Sequence, residues 1–320
     1  MGMNKKGRVK LIPTAAIFIA MLFVCADYGE GSSDDMIFTY TMVDVNNTVQ
    51  GDAHLIETPG GENVLIDTGK ARECKDNLIP LLRTKNIRKI DHLIISHIHA
   101  DHYEGIQSII EAGIEIGALY YDTVEDADLR EICESECCCN YEHFMSQIKG
   151  VKVKDLDKGQ LIHISNDVKL NVVDVWRRGD SLRDINDTSA LIRLETNHYT
   201  ILFTGDLNKG RSNRLTDENA ILADILKIPH HGAEGLASNK FINSVNAQTY
   251  LIPSPKSLWE SDRSKRVRDL MEGKERKGKE RKGREGKGRE GKGREHYVNG
   301  YHGNVVVEGY RQWYKIKTGE

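Results

Sequence analysis

The sequence predicts an α/β fold built in layers, and two observations support this. From Met36 onward, short runs rich in β-branched and aromatic residues alternate with segments whose apolar residues have helical spacing. The alternation recurs in two successive halves of the chain. About 270 residues arranged in this way suit one domain made of two sheets with helices outside them. Periodicity alone predicts no more than a layered α/β fold.

The first half begins with strands, each ended by Gly, Asn or Pro: MIFTYTMVDV, AHLIET and NVLIDTG. Helical spacing follows over residues 74–86 despite Pro80, and KIDHLIISH (89–97) is typical of a buried strand that ends in histidine. The chain then continues with a helix at EGIQSIIEAG, a strand at ALYYD and a longer helical stretch over about 126–148.

The second half repeats the pattern. Its predicted strands are VKVKDLD, QLIHI, VKLNVVDV, SALIRLE, YTILFTGD, ADILKIPH, AQTYLIPS, HYVN, GNVVVEGY and WYKIK. Helices are predicted around NKFINSVN and KRVRDLME.

The N-terminal segment predicts export. A basic stretch, NKKGRVK, precedes LIPTAAIFIAMLFV (11–24), an apolar run shorter than the roughly 20 residues needed to span a bilayer. Residues 1–26 are therefore interpreted as a signal peptide and 27–35 as a solvated tether, with an extracellular or periplasmic location. Two alternatives stay open: Cys25 is lipidated and tethers the protein to a membrane, or the segment is an uncleaved anchor.

Composition excludes several classes. The chain has 320 residues, 39% hydrophobic, and a net charge of −3, which is unlike a multi-span membrane protein, a collagen-like chain or a disulfide knot. Outside residues 1–26 and 271–295 it holds 30 Lys/Arg against 42 Asp/Glu. This acidic body predicts no stable binding of duplex DNA, whose phosphates it repels.

The low-complexity segment at 272–295 interrupts the predicted domain, which spans 36–320. Its near-repeat, KERKGKERKGREGKGREGKGRE, has no apolar residue with which to form a core. An expanded loop between a helix and a strand is the preferred interpretation, because Glu is interleaved throughout. A basic arm for nucleic acid or anionic membrane is the alternative.

Cysteines cluster in the acidic segment LREICESECCCNYEHF, with Cys74 far upstream. Any disulfide within this cluster would be local and would constrain little chain. Metal binding by the cluster is the alternative, but no second cysteine pair stands at ligand spacing.

The most informative segment is Ser96-His97-Ile98-His99-Ala100-Asp101-His102, placed where a strand ends and a helix begins. His97 and His99 lie on one side of an extended exit, and a tight turn would return Asp101 and His102 towards them. Histidine and carboxylate at this density predict two divalent ions, each with two of these ligands. Zinc is favoured, with manganese or iron as alternatives.

Two later strands end in residues that complete such a site. ILFTGD delivers Asp206, whose carboxylate would bridge two cations, and ILKIPHHG delivers His230 and His231. Asp67, in a DTG turn, is interpreted mainly as structural, with support of a ligand histidine as the alternative.

With these motifs in this order, the sequence resembles the metallo-β-lactamase superfamily, and within it the metallo-hydrolase domain of ComEC-type competence proteins. The resemblance runs from VDVNNTVQGDAHLIETPGGENVLIDTG through SHIHADHYEG, NDTSALIRLE, ILFTGD and LKIPHHGA to YVNGYHGNVVVEG. It implies an αββα four-layer sandwich. It also implies these metal ligands: His97 and His99 for one ion, Asp101, His102 and His230 for the other, and Asp206 as the bridge.

The resemblance implies catalytic roles as well. Asp101 would orient the attacking hydroxide that bridges the two ions, and His231 would contact the substrate phosphate or the leaving group, although the adjacent histidines could exchange roles. No histidine stands where classical members keep a third ligand for the first ion; the Asn186 segment occupies that place.

The function expected from this resemblance is exported, metal-dependent hydrolysis, with phosphate esters or nucleic acid fragments as substrates. Hydrolysis of β-lactams, lactones or thioesters is the alternative enzymatic interpretation. A non-catalytic, metal-containing binding module is the alternative outside the enzymes. DNA uptake does not transfer with the resemblance, since the pore is absent from this sequence.

Overall fold

A computed structural model describes residues 36–45, 49–122, 126–135, 139–177, 184–216, 219–235, 237–274 and 293–319. The predicted signal peptide (1–26), with Cys25, the tether (27–35) and most of the insert (272–295) lie outside these residues. Within the described ranges, no helix combines the length and apolar character needed to cross a bilayer.

The strands follow the order that the sequence predicts. They are β1 (Met36–Met42), β2 (His54–Glu57), β3 (Asn63–Ile66), β4 (Lys89–Ile94), β5 (Glu115–Tyr121), β6 (Val153–Asp155), β7 (Leu161–His163), β8 (Lys169–Asp174), β9 (Leu191–Glu195), β10 (Thr200–Phe203), β11 (Ile225–Lys227), β12 (Thr249–Ile252), β13 (Glu295–Val298), β14 (Val305–Tyr310) and β15 (Tyr314–Thr318).

The helices are mostly short. They are α1 (Ala71–Glu73), α2 (Ile79–Thr84), α3 (Ala100–Tyr103), α4 (Gly105–Glu111), α5 (Asp126–Ser135), α6 (Tyr141–Gln147), α7 (Lys209–Ser212), α8 (Asn239–Val245), α9 (Lys256–Glu260), α10 (Lys265–Met271) and α11 (Asn299–His302). A π-helical turn, Cys74–Leu78, joins α1 to α2, so the predicted helix at 74–86 continues past Pro80.

Two sheets form the centre of the fold. One has eight strands in the order β15-β14-β1-β2-β3-β4-β5-β6, and the other has seven in the order β13-β12-β11-β10-β9-β8-β7. Their facing sides share one hydrophobic cluster that includes Tyr40, Ile56, Leu170 and Ile201. Burial of this apolar surface from both sheets is the main force that holds them together.

Helices cover the outer sides of both sheets. Ile109 of α4 and Phe144 of α6 belong to a cluster on the first sheet, and Phe241 of α8 and Leu270 of α10 to a cluster on the second. The layers are therefore helix, sheet, sheet and helix, which confirms the predicted αββα sandwich.

The division into two successive halves is wrong for the C-terminal hairpin. β14 pairs antiparallel with β1, in the first sheet, and Tyr40 lies opposite Val307. Val305 and Val307 are fully buried in the cluster between the sheets. The run of three valines in β14 predicted a strand, but it carried no information about which strand β14 would pair with.

The predicted helical stretch at 126–148 is divided into α5 and α6. Asn140 caps α6, where its side chain accepts a hydrogen bond from the backbone N–H of His143. A disulfide joins Cys133 to Cys139, six residues apart, which confirms that pairing in this cluster is local. Cys74 is a free, buried thiol.

Gly105 lets α4 approach the loop that follows β3. A Cβ atom at this position would lie 2.6 Å from the carbonyl oxygen of Thr68 and 2.8 Å from the side chain of Cys74. We expect Gly105→Ala to lower the free energy of unfolding by about 1–3 kcal/mol, because the backbone must shift to relieve this overlap. Urea titration measures the change. Gly60→Ala is the control, since its Cβ would meet nothing closer than 3.9 Å; equal losses in both variants would contradict the prediction.

Candidate metal centre

The candidate site lies where strands of both sheets end. His97 follows β4 of the first sheet, whereas Asp206 and His231 follow β10 and β11 of the second. β10 and β11 are parallel, so their carboxyl ends meet at one edge. The sandwich brings this edge against the end of β4, and residues distant in sequence therefore form one cluster.

Asp206 is at the centre of the cluster. One carboxylate oxygen of Asp206 lies 3.4 Å from Nε2 of His102, and the other lies 3.4 Å from Nε2 of His231. His231 Nε2 is also 3.4 Å from a carboxylate oxygen of Asp101. The ring of His97 stands 4.1 Å from that of His102, centre to centre. Each of these side chains is buried.

Several atoms that face one another here have no hydrogen-bond partner. These buried atoms are Nε2 of His102, Oδ1 of Asp206 and Nε2 of His231. Buried polar atoms are usually satisfied, so three orphaned ligand-type atoms in one place indicate a missing partner. Imidazole nitrogen and carboxylate oxygen are also the donors that Zn²⁺, Mn²⁺ and Fe²⁺ accept. The residues present therefore fit divalent ions.

Groups of three potential ligands can be drawn within this cluster. Their ligand atoms lie within 4.8 Å of one another, and the groups are His97, His102 and Asp206; Asp101, His102 and His231; Asp52, Asp206 and His231; and Asp52, Asp67 and His102.

His99 and His230, two predicted ligands, lie at the margin of the cluster and belong to none of these groups. Nδ1 of His99 is 3.1 Å from Nε2 of His97, and Nε2 of His230 is 3.8 Å from Asp206. The structure therefore brings all the predicted site residues to one place, with His231 deeper than His230.

Asp67 contacts Nδ1 of His102, the ring nitrogen that faces away from the centre of the site. A carboxylate oxygen of Asp67 lies 2.8 Å from Nδ1 of His102. Ser96 donates both its backbone N–H and its hydroxyl to the same carboxylate, each at 2.7 Å. This is the contact that the alternative interpretation of Asp67 requires. It turns Nε2 of His102 towards the centre of the site.

Asp52 and Lys227 are buried in the site but were not predicted from the sequence. Lys227 ends β11, is fully buried, and forms an ion pair with Asp52. Asp52 also lies 3.1 Å from Nδ1 of His231. One signal in the sequence could have identified the pair: a lysine inside the apolar strand ILK, since lysine is almost never fully buried unless it is paired.

Electrostatics favour protonated imidazoles at the centre of the metal-free site. Burial alone would lower the pKa of His102, but the carboxylates of Asp206 and Asp67 outweigh it and raise this pKa well above its usual value. Burial likewise opposes protonation of His231, whose pKa is raised well above the usual value by Asp206 and Asp52. Burial lowers the pKa of His97.

The carboxylates respond in the opposite direction. Burial opposes ionisation of Asp206, yet His231, His102 and His230 hold its pKa well below the usual value. The carboxylates of the cluster are thus balanced by Lys227 and by protons on the histidines, and divalent ions could replace those protons.

An open cavity of about 290 Å³ lies near His230, although His230 itself is not among its lining residues. Gly235 lines it, and a Cβ on Gly235 would lie 3.6 Å from the ring of His230. Lys209 and Arg214 line it as well, with exposed side chains.

Comparison with known proteins shows which protein family the chain resembles. Residues 46–125, which include the segment from His97 to His102, match the family model described as the metallo-beta-lactamase superfamily. Together with the αββα sandwich and the cluster at its edge, this match, which covers 80 of the 320 residues, indicates that the chain has the fold of the metallo-β-lactamase superfamily.

Curated relatives narrow the resemblance to ComEC-type competence proteins. The chain is 24% identical to ComE operon protein 3 of Bacillus subtilis (strain 168) over 278 residues, covering 80% of this chain and 33% of that protein. It is 24% identical to competence protein ComA of Neisseria gonorrhoeae over 201 residues, covering 62% of this chain and 25% of that protein. The chain thus spans a third or less of these relatives' length.

Among solved structures, the chain is similar to Tm1679, described as a metal-dependent hydrolase of the beta-lactamase superfamily. The two are 13% identical, with a TM-score of 0.49, and the similarity covers 88% of this chain and 100% of the other.

Divalent ions should bind with release of protons. Because the pKa values of His102 and His231 are raised, both imidazoles are protonated at neutral pH in the metal-free protein, and an ion must displace those protons. We expect release of about two protons and an affinity that falls as the pH is lowered. Calorimetric titration with Zn²⁺ in two buffers of different ionisation enthalpy measures this release. Identical heats in the two buffers would refute it.

Asp67→Asn should weaken divalent-ion binding by about 10–100-fold, because the amide is a poorer acceptor for His102 Nδ1–H. Competition with a chromogenic chelator measures the affinity. Asp91→Asn is the matched control: Asp91 lies on β4 of the same sheet, where it pairs with Lys89. An equal loss in both variants would show that Asp67 has no particular role at the site.

Proposed function

We propose that this protein is a metal-dependent phosphodiesterase-like hydrolase. Similarity to the metallo-β-lactamase superfamily supports metal-dependent hydrolysis. The observation that carries the proposal is the convergence of His102, Asp206 and His231, whose unpartnered ligand atoms face one another inside the fold. Bound divalent ions, with zinc favoured over manganese or iron, would supply Lewis acidity and lower the pKa of a water molecule to near neutrality.

The ligands we propose are those predicted from the sequence, with one exchange. His97 and His99 would hold one ion, Asp101 and His102 the other, and Asp206 would bridge them. His231 rather than His230 would complete the second set, because its Nε2 is buried between Asp101 and Asp206.

His230 is then the histidine that faces substrate. Its side chain is 20% exposed and adjoins the cavity through Gly235. From this position its ring N–H can donate a hydrogen bond to a leaving group, and burial, which lowers the pKa of His230, favours the neutral imidazole. Asp101, ionised because its contacts with His231 and His102 outweigh burial and lower its pKa, can accept a hydrogen bond from the attacking water.

The cavity supports an anionic substrate. Lys209 and Arg214 bring two exposed cations to its lining. Asp184 and Asp187 also line it, and both accept hydrogen bonds from the Asn208 amide. Lys209 and Arg214 could meet the charge of a phosphate, although the lining also carries these two carboxylates.

The acidic body of the chain favours short substrates. We propose phosphate esters or nucleic acid fragments rather than long duplex DNA, whose closely spaced phosphates the body would repel. We also propose export, with the mature chain beginning near Asp27, and N-terminal sequencing of secreted protein would test this. The alternative, a membrane tether through Cys25, would leave Cys25 as the first residue of the mature chain, and the same sequencing distinguishes the two.

Asp206→Ala should abolish most of the phosphodiesterase activity. The substitution removes the carboxylate on which both halves of the site converge, so loss of several kcal/mol of transition-state stabilisation, roughly 100-fold or more in rate, is expected. Zinc-loaded wild type and variant are assayed on bis(4-nitrophenyl) phosphate. Asp269→Ala, in an exposed pair with Lys265 on α10, is the control and should retain full activity.

A chromogenic cephalosporin, assayed in parallel, separates the two enzymatic interpretations. Turnover of the phosphodiester alone supports the proposal, and turnover of the cephalosporin alone refutes it. Near-wild-type rates for Asp206→Ala would refute the two-ion site.

A further inference from the structure

Lys227 is a buried cation whose charge is balanced within the site. Its ammonium group forms an ion pair with Asp52 and donates a hydrogen bond of 2.8 Å to the carbonyl oxygen of Gly205. It also lies 3.8 Å from Oδ1 of Asp206. Neither member of the pair is exposed. An isolated charge at this depth would be strongly destabilising, so Lys227 and Asp52 depend on each other.

Asp52 connects this pair to His231. Oδ1 of Asp52 lies 3.1 Å from Nδ1 of His231, which also lies 3.1 Å from the carbonyl oxygen of Pro253. Both neighbours are acceptors, so Nδ1 carries the proton. Nε2 is therefore the nitrogen that His231 presents to Asp101 and Asp206.

Lys227 also contacts the backbone of the turn that precedes Asp206. Its hydrogen bond is to Gly205, which has a positive φ of 48° and directly precedes Asp206. A Cβ on Gly205 would lie 2.9 Å from the Ser96 hydroxyl, so the turn is closely packed. Lys227 thus fixes the carbonyl of the turn that delivers Asp206.

A carboxylate oxygen of Asp52 lies within 4.8 Å of the potential ligand atoms of Asp206 and His231. Lys227 nevertheless excludes it from the ligand set, because an ammonium group in contact with Asp52 would repel a divalent ion placed on the same carboxylate. Asp52 and Lys227 are therefore placed to orient the metal ligands rather than to coordinate an ion themselves.

We propose that Asp52 and Lys227 are positioning residues that jointly orient His231 and Asp206 for divalent-ion binding. The proposal rests on the metal-dependent site described under the proposed function. Asp52 sets the proton and the ring orientation of His231, and Lys227 sets the Gly205 turn and keeps Asp52 ionised without occupying the position of an ion. The pair should therefore control ion affinity although neither residue coordinates an ion.

The test uses Asp52→Asn, Lys227→Met and the double variant. Each metal-free protein is titrated with Zn²⁺ against a chromogenic chelator, and its thermal unfolding is recorded without metal. We expect Asp52→Asn to weaken ion binding by about 10–100-fold, as for other residues that orient metal ligands. Lys227→Met should lower the melting temperature most, because it removes the ammonium partner of a buried carboxylate and leaves Asp52 with the imidazoles of His231 and His54 beside it.

The double variant distinguishes positioning from a purely structural role. Removal of both charges should recover much of the melting temperature that Lys227→Met loses, whereas ion affinity should stay at least about 10-fold below that of the wild type. Recovery of both quantities would overturn the proposal, and so would wild-type affinity in Asp52→Asn. If Lys227→Met does not fold, the ion affinities of Asp52→Asn and of the double variant still test the proposal.

Arg193→Met is the matched control. Arg193 pairs with Glu195 on β9 and is mostly buried. This variant should lose stability and keep its ion affinity. Absence of divalent-ion binding by the wild type would overturn both proposals. Ion binding without hydrolysis of bis(4-nitrophenyl) phosphate would overturn the phosphodiesterase proposal alone, since the affinities of the variants would still measure the positioning role.

Discussion

The structure depends on how it compensates negative charge inside the protein. Four carboxylates, those of Asp52, Asp67, Asp101 and Asp206, are buried close together. Burial of a carboxylate without a partner costs several kcal/mol, so the fold must supply positive charge at the same depth. Lys227 supplies a permanent charge, whereas the imidazoles of the site supply protons. Divalent ions can displace those protons. The ammonium group of Lys227 is covalently part of the protein and stays in the site.

This requirement explains why the site lies between the sheets. The first sheet contributes Asp52, Asp67 and the segment from His97 to His102, whereas Asp206, Lys227 and His231 come from the second sheet. Arg211 links that sheet to the site: it is buried, pairs with Asp174, and donates to the backbone carbonyl of Ser189. The Ser189 hydroxyl in turn accepts the backbone N–H of Asp206. The position of Asp206 therefore depends on packing of the sandwich as a whole.

The sequence predicted the elements and most of the candidate site because their signals are local. Alternating apolar runs marked the strands, and the residues that follow β4, β10 and β11 were identifiable as potential ligands before any contact was known. The Asp52–Lys227 pair was missed for a physical reason. A lysine in an apolar strand indicates a buried charge, but its partner lies far upstream in a turn, and periodicity does not connect the two. The pairing of β14 with β1 was unpredictable for the same reason.

Which of the two adjacent histidine side chains is buried in the cluster depends on a strained backbone, and no sequence pattern shows this strain. His230 and His231 both have positive φ, 51° and 53°, which costs non-glycine residues about 1–3 kcal/mol each. A hydrogen bond from the His230 N–H to the Gly205 carbonyl, 3.3 Å long, helps to hold the turn. The two rings consequently diverge, with centres 6.1 Å apart. One imidazole enters the buried cluster while its neighbour faces the cavity, so the strain separates a metal-binding position from a substrate-facing one within two residues.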